Sequence, residues 1–151
     1  MRPNRSTDAV VRAALRAPLL VRGMVGAVFL SEGIQKFLFP AVLGTGRFTK
    51  IGLPYPDVLG PFVGLTEIVC GTLVLLGLFA RVAALPLIAV MLVAIASTKV
   101  PILMRDGFWA MAHEARTDWS MLLGSLFLVW VGPGMWSLDH WRSARRARAV
   151  E

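Results

Sequence analysis

A few ionisable residues stand where the surrounding sequence should exclude them. Glu67 is flanked by Leu65, Ile68 and Val69 near the middle of a long apolar run. A charge at such a place costs at least roughly 2.5–3.5 kcal/mol on insertion scales. Its side chain is too short to reach water, so it must face protein or a polar cavity. Gly60, Gly64 and Gly71 recur at helical spacing on nearly the same face, where a neighbouring backbone can approach closely. An earlier run, Ser31-Glu32-Gly33-Ile34-Gln35-Lys36, spaces Glu32, Gln35 and Lys36 at i, i+3 and i+4. That spacing puts the three on one helix face, with Glu32 and Lys36 able to pair and Lys36 available as a cation for Glu67. Lys99 and Asp118 end and begin two further apolar runs on the same side. Brought together, Glu32, Gln35, Lys36, Glu67, Lys99 and Asp118 would line a polar, ligand-binding pocket inside a helical bundle, able to exchange protons and donate hydrogen bonds.

A plainer reading applies to the same residues. Intramembrane polar groups also serve as interhelical glue, worth about 0.6 kcal/mol per hydrogen bond on average. Lys36, Lys99 and Asp118 lie near the ends of their runs, where long side chains can snorkel. Cys70, the single cysteine, excludes an intramolecular disulfide and reads as a small buried hydrophobe. Two histidines, His113 in a polar connection and His140 in a basic tail, meet no recurrent metal-ligand spacing, so no metal site is expected.

The elements that must carry these groups follow from hydropathy. Of 151 residues, 56% are hydrophobic and 17% charged, too apolar for an ordinary soluble domain and too hydrophobic for a disordered chain. A membrane span takes about 20 mostly apolar helical residues. Four stretches qualify, at about 18–39, 58–79, 82–101 and 117–132, the last ending at the Gly132-Pro133-Gly134 breaker. The expectation is an all-α, multi-pass membrane protein, a single domain of four transmembrane helices in an antiparallel bundle with the lipid bilayer as solvent.

The net charge of +7 is concentrated at the basic tails, 1–17 and 137–151. Arginines beside apolar spans suit a cytoplasmic membrane face, and no soluble reader module remains for nucleic acid. With the N-terminus inside, the cytoplasmic side collects Arg2, Arg5, Arg12, Arg16, Arg22, Arg81, Arg142, Arg145, Arg146 and Arg148, against six Lys and Arg outside. Both termini are therefore expected in the cytoplasm, at the cell membrane. Trp109 and Trp119 would then mark the outer interface, and Trp130, Trp136 and Trp141 the inner one. Ala80 and Arg81 alone are expected to separate spans two and three. The outer connections, 40–57 and 102–117, read as irregular backbone and as an interfacial segment over the bundle mouth. Ser137 is expected to cap a final short helix, in which Asp139 precedes Arg142 by three residues.

Read in order, certain motifs resemble the DoxX family of small bacterial membrane proteins. They are Arg22-Gly23 with Gly26, the run Phe29 to Lys36, Gly52-Leu53-Pro54, Gly64-Leu65 with Glu67 and Gly71, and Leu75 to Ala84. Gly132-Pro133-Gly134 and Ser137-Leu138-Asp139 close the set. The resemblance implies four transmembrane helices and, from some relatives, a link to membrane redox assemblies such as quinone-coupled sulfur oxidation. Lys36 and Glu67 are the positions to which it carries suspicion of a role. Where many relatives have a histidine or another polar residue, this chain has Ser31, so no histidine-based mechanism carries over.

A lipid-soluble quinone would suit a mid-membrane pocket of this kind. No flavin or haem signature occurs in the chain, so electrons would come from partner proteins in the membrane or at its surface. The leading expectation is a membrane subunit or accessory of a quinone-linked redox system, an oxidoreductase subunit if it is an enzyme at all, acting with partners or as a homo-oligomer. The alternatives are a non-enzymatic adaptor or scaffold and a small-solute transporter.

Overall fold

The computed structural model describes residues 5–148, with side chains from Arg16 to Ser143 and at Arg145. Arg2 of the N-terminal basic tail lies outside the described residues, as do the side chains of Arg5, Arg12, Arg146 and Arg148. Helix α1 is Arg5–Leu38, α2 Thr45–Lys50, α3 Pro56–Leu76 and α4 Ala80–Ala94. A π-helical turn, Ile95–Lys99, joins α4 to α5, Val100–Asp106; then come α6, Phe108–Glu114, α7, Arg116–Val131, and α8, Leu138–Arg148. All regular structure among the described residues is helical. This is the arrangement lipid demands, because every backbone group must find its partner within the segment.

Among the described residues, three stretches are long and apolar enough to cross a membrane: Arg16–Leu38, Pro56–Leu76 and Ala80–Asp106. Helix α7 covers the region expected as the fourth crossing. Its 16 residues make about 24 Å at 1.5 Å per residue, short of a hydrocarbon core of about 30 Å. It packs with the others nonetheless: α1 lies on α3, α3 on α4, α4 on α7 and α7 back on α1. Buried Val25, Phe29, Cys70, Val74, Ala83, Ala84, Leu87, Met121 and Leu128 form the core.

The closest of these contacts is α1 against α3, and glycine makes it possible. A Cβ on Gly33 would stand 2.6 Å from the Gly64 carbonyl oxygen, and one on Gly26 2.8 Å from that of Gly71. The small residues of α3 thus meet small residues of α1, so backbone lies against backbone. Gly60 serves a different neighbour, since its Cβ would meet the Thr45 amide at 2.9 Å, at the start of α2.

The hairpin turn between α3 and α4 falls at Gly77–Phe79, earlier than expected, and Ala80 and Arg81 already belong to α4. Gly77 takes φ +65°, its N–H donates to Val74 and the Leu78 N–H donates to Leu73. These two bonds satisfy the last carbonyls of α3 in a Schellman motif, which the left-handed glycine permits.

The third apolar run also continues further than position 101. Pro101 has no N–H to offer the Ser97 carbonyl and its ring crowds that oxygen. The wider π turn just before it absorbs the misfit and lets the helix go on to Asp106. The Ser97 hydroxyl donates to Val93 (2.8 Å) and that of Thr98 to Ala94 (2.6 Å), satisfying backbone oxygens around the turn.

Candidate functional site

Lys36 stands in the last turn of α1 and Glu67 in the middle of α3, on the glycine-mediated seam. Close backbone approach brings Lys36 Nζ to 2.6 Å from Glu67 Oε2. Glu67 is 2% exposed, so its negative charge is compensated by protein rather than by water. At that distance the ammonium and the carboxylate make a short charge-assisted contact. The i, i+4 spacing on α1 delivers the third member: Glu32 Oε2 is 3.9 Å from the same Nζ, with its side chain about half exposed (49%).

A second ion pair closes the opposite wall. The π turn rotates Lys99 inward, where it is buried and lies 3.3 Å from Asp118 Oδ2 in the first turn of α7. Both pairs border one cavity of about 1100 Å³ among α1, α3, α4 and α7. Deeper in, its wall is apolar, with Val28, Phe29, Cys70, Val90 and Met121. Towards the connection carrying α2 the wall stays mainly apolar, with Leu43, Phe48, Ile51 and Leu53 beside Arg47, and polar groups enter at Thr66, Ser97, Thr98 and Glu114. A mainly apolar cavity with two ion pairs in its wall suits an amphiphile whose polar head sits by those pairs.

Five of the six residues singled out from the sequence therefore meet at this cavity: Glu32, Lys36, Glu67, Lys99 and Asp118. Gln35 is off its wall; the Gln35 amide donates to the Ser31 hydroxyl (2.9 Å) on an exposed stretch of α1. Spacing alone put Gln35 beside Lys36, but the α1–α3 seam decides which edge of that face looks inward. No group of three or more metal-ligating side chains occurs among the described residues.

A further buried cation lies at the other end of the bundle. Arg22 is 3% exposed; its guanidinium donates to the carbonyls of Val74 (3.0 Å), Leu75 (2.7 Å), Pro133 (2.9 Å) and Trp136 (2.7 Å). It ties the C-terminus of α3 to the turn after α7, beside Ser137. Its position inside an apolar run, followed by Gly23, was the available signal. Residue type alone does not distinguish such a buried arginine from a solvated cytoplasmic one.

The family model for DoxX matches residues 17–100, which carry α1, α3, α4 and both partners of the Lys36–Glu67 pair. The chain belongs to the DoxX family. An uncharacterized membrane protein of Mycobacterium tuberculosis, Rv3486, is 56% identical over 137 residues, covering 87% of this chain and 83% of that protein. No solved structure matches the chain significantly. This DoxX protein is thus an integral membrane protein, and the matched region contains the α1–α3 half of its cavity. Lys99 falls inside that region and Asp118 beyond it.

Proposed function

We propose that this DoxX protein is the membrane subunit or accessory of a quinone-linked redox system and binds the quinone head in the cavity between its two ion pairs. The observation that carries the proposal is the buried Lys36–Glu67 pair on the cavity wall, with Nζ 2.6 Å from Oε2. A carboxylate has more lone pairs than one ammonium contact uses, so Glu67 can still accept from a ligand hydroxyl.

The residues present fit such a ligand. Lys36 has ammonium hydrogens to donate to a ring oxygen, and Lys99 offers the same on the facing wall. The apolar wall from Val28 to Met121 suits a ring and the start of an isoprenoid chain. When bound, a quinone supplies two-electron, two-proton redox chemistry, with electrons assigned to a partner protein. Glu67 holds or accepts a proton at Oε2, Lys36 keeps that oxygen oriented, and half-exposed Glu32 passes protons between the pair and water.

We further propose that α7 is the fourth crossing and that both termini face the cytoplasm. Arg22, near the start of the first span, bonds Pro133 and Trp136 directly after α7, which supports a return of the chain to its starting side. The excess of arginine at that end supports a cytoplasmic assignment.

The direct test is ligand-dependent thermal stabilisation of the purified protein by short-chain benzoquinones and naphthoquinones. Glu67→Gln is expected to remain folded and to lose the stabilisation. An undiminished shift in that variant would overturn the quinone site and leave the polar residues as packing devices of an adaptor.

A further inference from the structure

We infer that a notch at the Arg22 end of the bundle, between Arg81 and Arg142, binds the phosphate headgroup of an anionic phospholipid. The notch encloses about 410 Å³ against Phe79, Val82 and Pro133 and is separate from the cavity of the ion pairs. Two guanidinium groups face it, each held by a contact that leaves donors free. Arg81 lies over Gly132, where a Cβ would come within 2.9 Å of Nε, and one Nη donates to the Val131 carbonyl at 3.3 Å. Arg142 stands 5.5 Å from the centroid of the Phe79 ring. Phe79 is placed there by its left-handed conformation (φ +49°) in the tight turn ahead of α4.

Neither arginine is paired with a carboxylate among the described residues. The obvious partner for Arg142, Asp139 at i−3, points instead to the first turn of α4 and accepts the Ala80 N–H at 3.4 Å. Two cations and one engaged anion thus border the notch, an arrangement that favours a phosphate with its several acceptor oxygens.

The surroundings select a lipid over a free anion. Phe79 and Val82 are 56% and 65% exposed beside the guanidiniums, and Trp130 is 86% exposed next to Val131. Tryptophan at a span end marks the headgroup level. Acyl chains would run along the apolar flank while the phosphate sits between the arginines, as basic sites at a membrane face hold anionic headgroups.

The test is lipid retention by the full chain, extracted in mild detergent, exchanged into equal phosphatidylglycerol and phosphatidylcholine and read by native mass spectrometry. A preference for phosphatidylglycerol of about fivefold or more is expected. It should fall to parity in Arg81→Gln/Arg142→Gln and survive in the double lysine variant. Arg142→Gln alone, at an exposed position of α8, should lower it by about twofold or more and gives a readout should the double variant fail to fold. Equal retention of both lipids by the unaltered protein, or an unchanged preference in Arg142→Gln, would overturn the site. Loss of retention in millimolar inorganic phosphate but not in chloride of equal ionic strength would assign the notch to free phosphate and overturn the lipid.

Discussion

Lys36 on α1 and Glu67 on α3 lie 2.6 Å apart across a helix seam where Gly33 and Gly64 leave no room for a side chain. The ion pair and the glycine contact are one construction. Lys36 is one turn from Gly33 and Glu67 one turn from Gly64, so the distance between the charges is set by how closely the backbones pack.

Breaking one side of this pair should cost far more than removing both. Lys36→Met leaves Glu67 uncompensated, for which about 3–5 kcal/mol is typical. Lys36→Met/Glu67→Leu is expected to recover most of that stability, because an apolar pair of similar volume has no charge to bury. Thermal unfolding of both variants in one detergent checks this; a double variant as unstable as the single one would contradict it.

Gly33 and Gly23, both on α1, should respond oppositely to alanine. At Gly33 the new methyl would meet the Gly64 carbonyl at 2.6 Å and Ile68 at 2.8 Å, while at Gly23 nothing lies within 4 Å. Gly33→Ala is expected to destabilise by about 1–3 kcal/mol through overpacking. It should also weaken quinone-dependent stabilisation by moving Lys36. Gly23→Ala should be neutral or gain up to about 1 kcal/mol from helix propensity. Paired melting curves decide it.

Arg22 should behave as a structural clasp. Arg22→Leu removes donors from four carbonyls at once. The expected loss is about 3 kcal/mol, allowing for water reaching some of the freed oxygens. Lysine, a point donor rather than a fork, should restore only part. Gly77→Ala tests the same place from the other side, because its Cβ would come within 2.7 Å of the guanidinium carbon. Limited proteolysis near Gly134, compared with the unaltered protein, reports whether the turn after α7 has come loose.

Topology can be read by labelling single cysteines in a Cys70→Ser background. Thr49→Cys, exposed on α2, is expected to react with an impermeant maleimide from outside intact cells. Arg145→Cys, exposed on α8, should react only after permeabilisation. Labelling of both from the same side would mean that α7 does not return the chain.

Much of this was legible in residue order, for reasons particular to lipid. In hydrocarbon any polar residue is exceptional, so Glu67 and the Glu32–Lys36 spacing stood out without knowledge of the fold. The glycines of α3 announced a close neighbour, and Ser137 its cap, borne out by the His140 N–H bond to its hydroxyl at 3.1 Å. Gln35 shares a face about a third of the helix wide with Glu32 and Lys36, and the seam with α3 leaves it off the cavity wall. The Asp139–Arg142 spacing likewise misdirected, since the start of α4 provides a competing donor for that carboxylate.

Local chemistry alone determined that this chain seeks lipid, where its apolar runs lie and which charges need partners, because hydropathy acts within a few residues of itself. Tertiary structure decided the rest. That Lys36 faces Glu67, that the π turn brings Lys99 to Asp118, and that Arg22 closes the far end on carbonyls more than fifty residues away depend on which helices become neighbours. A short-range pattern does not contain that information.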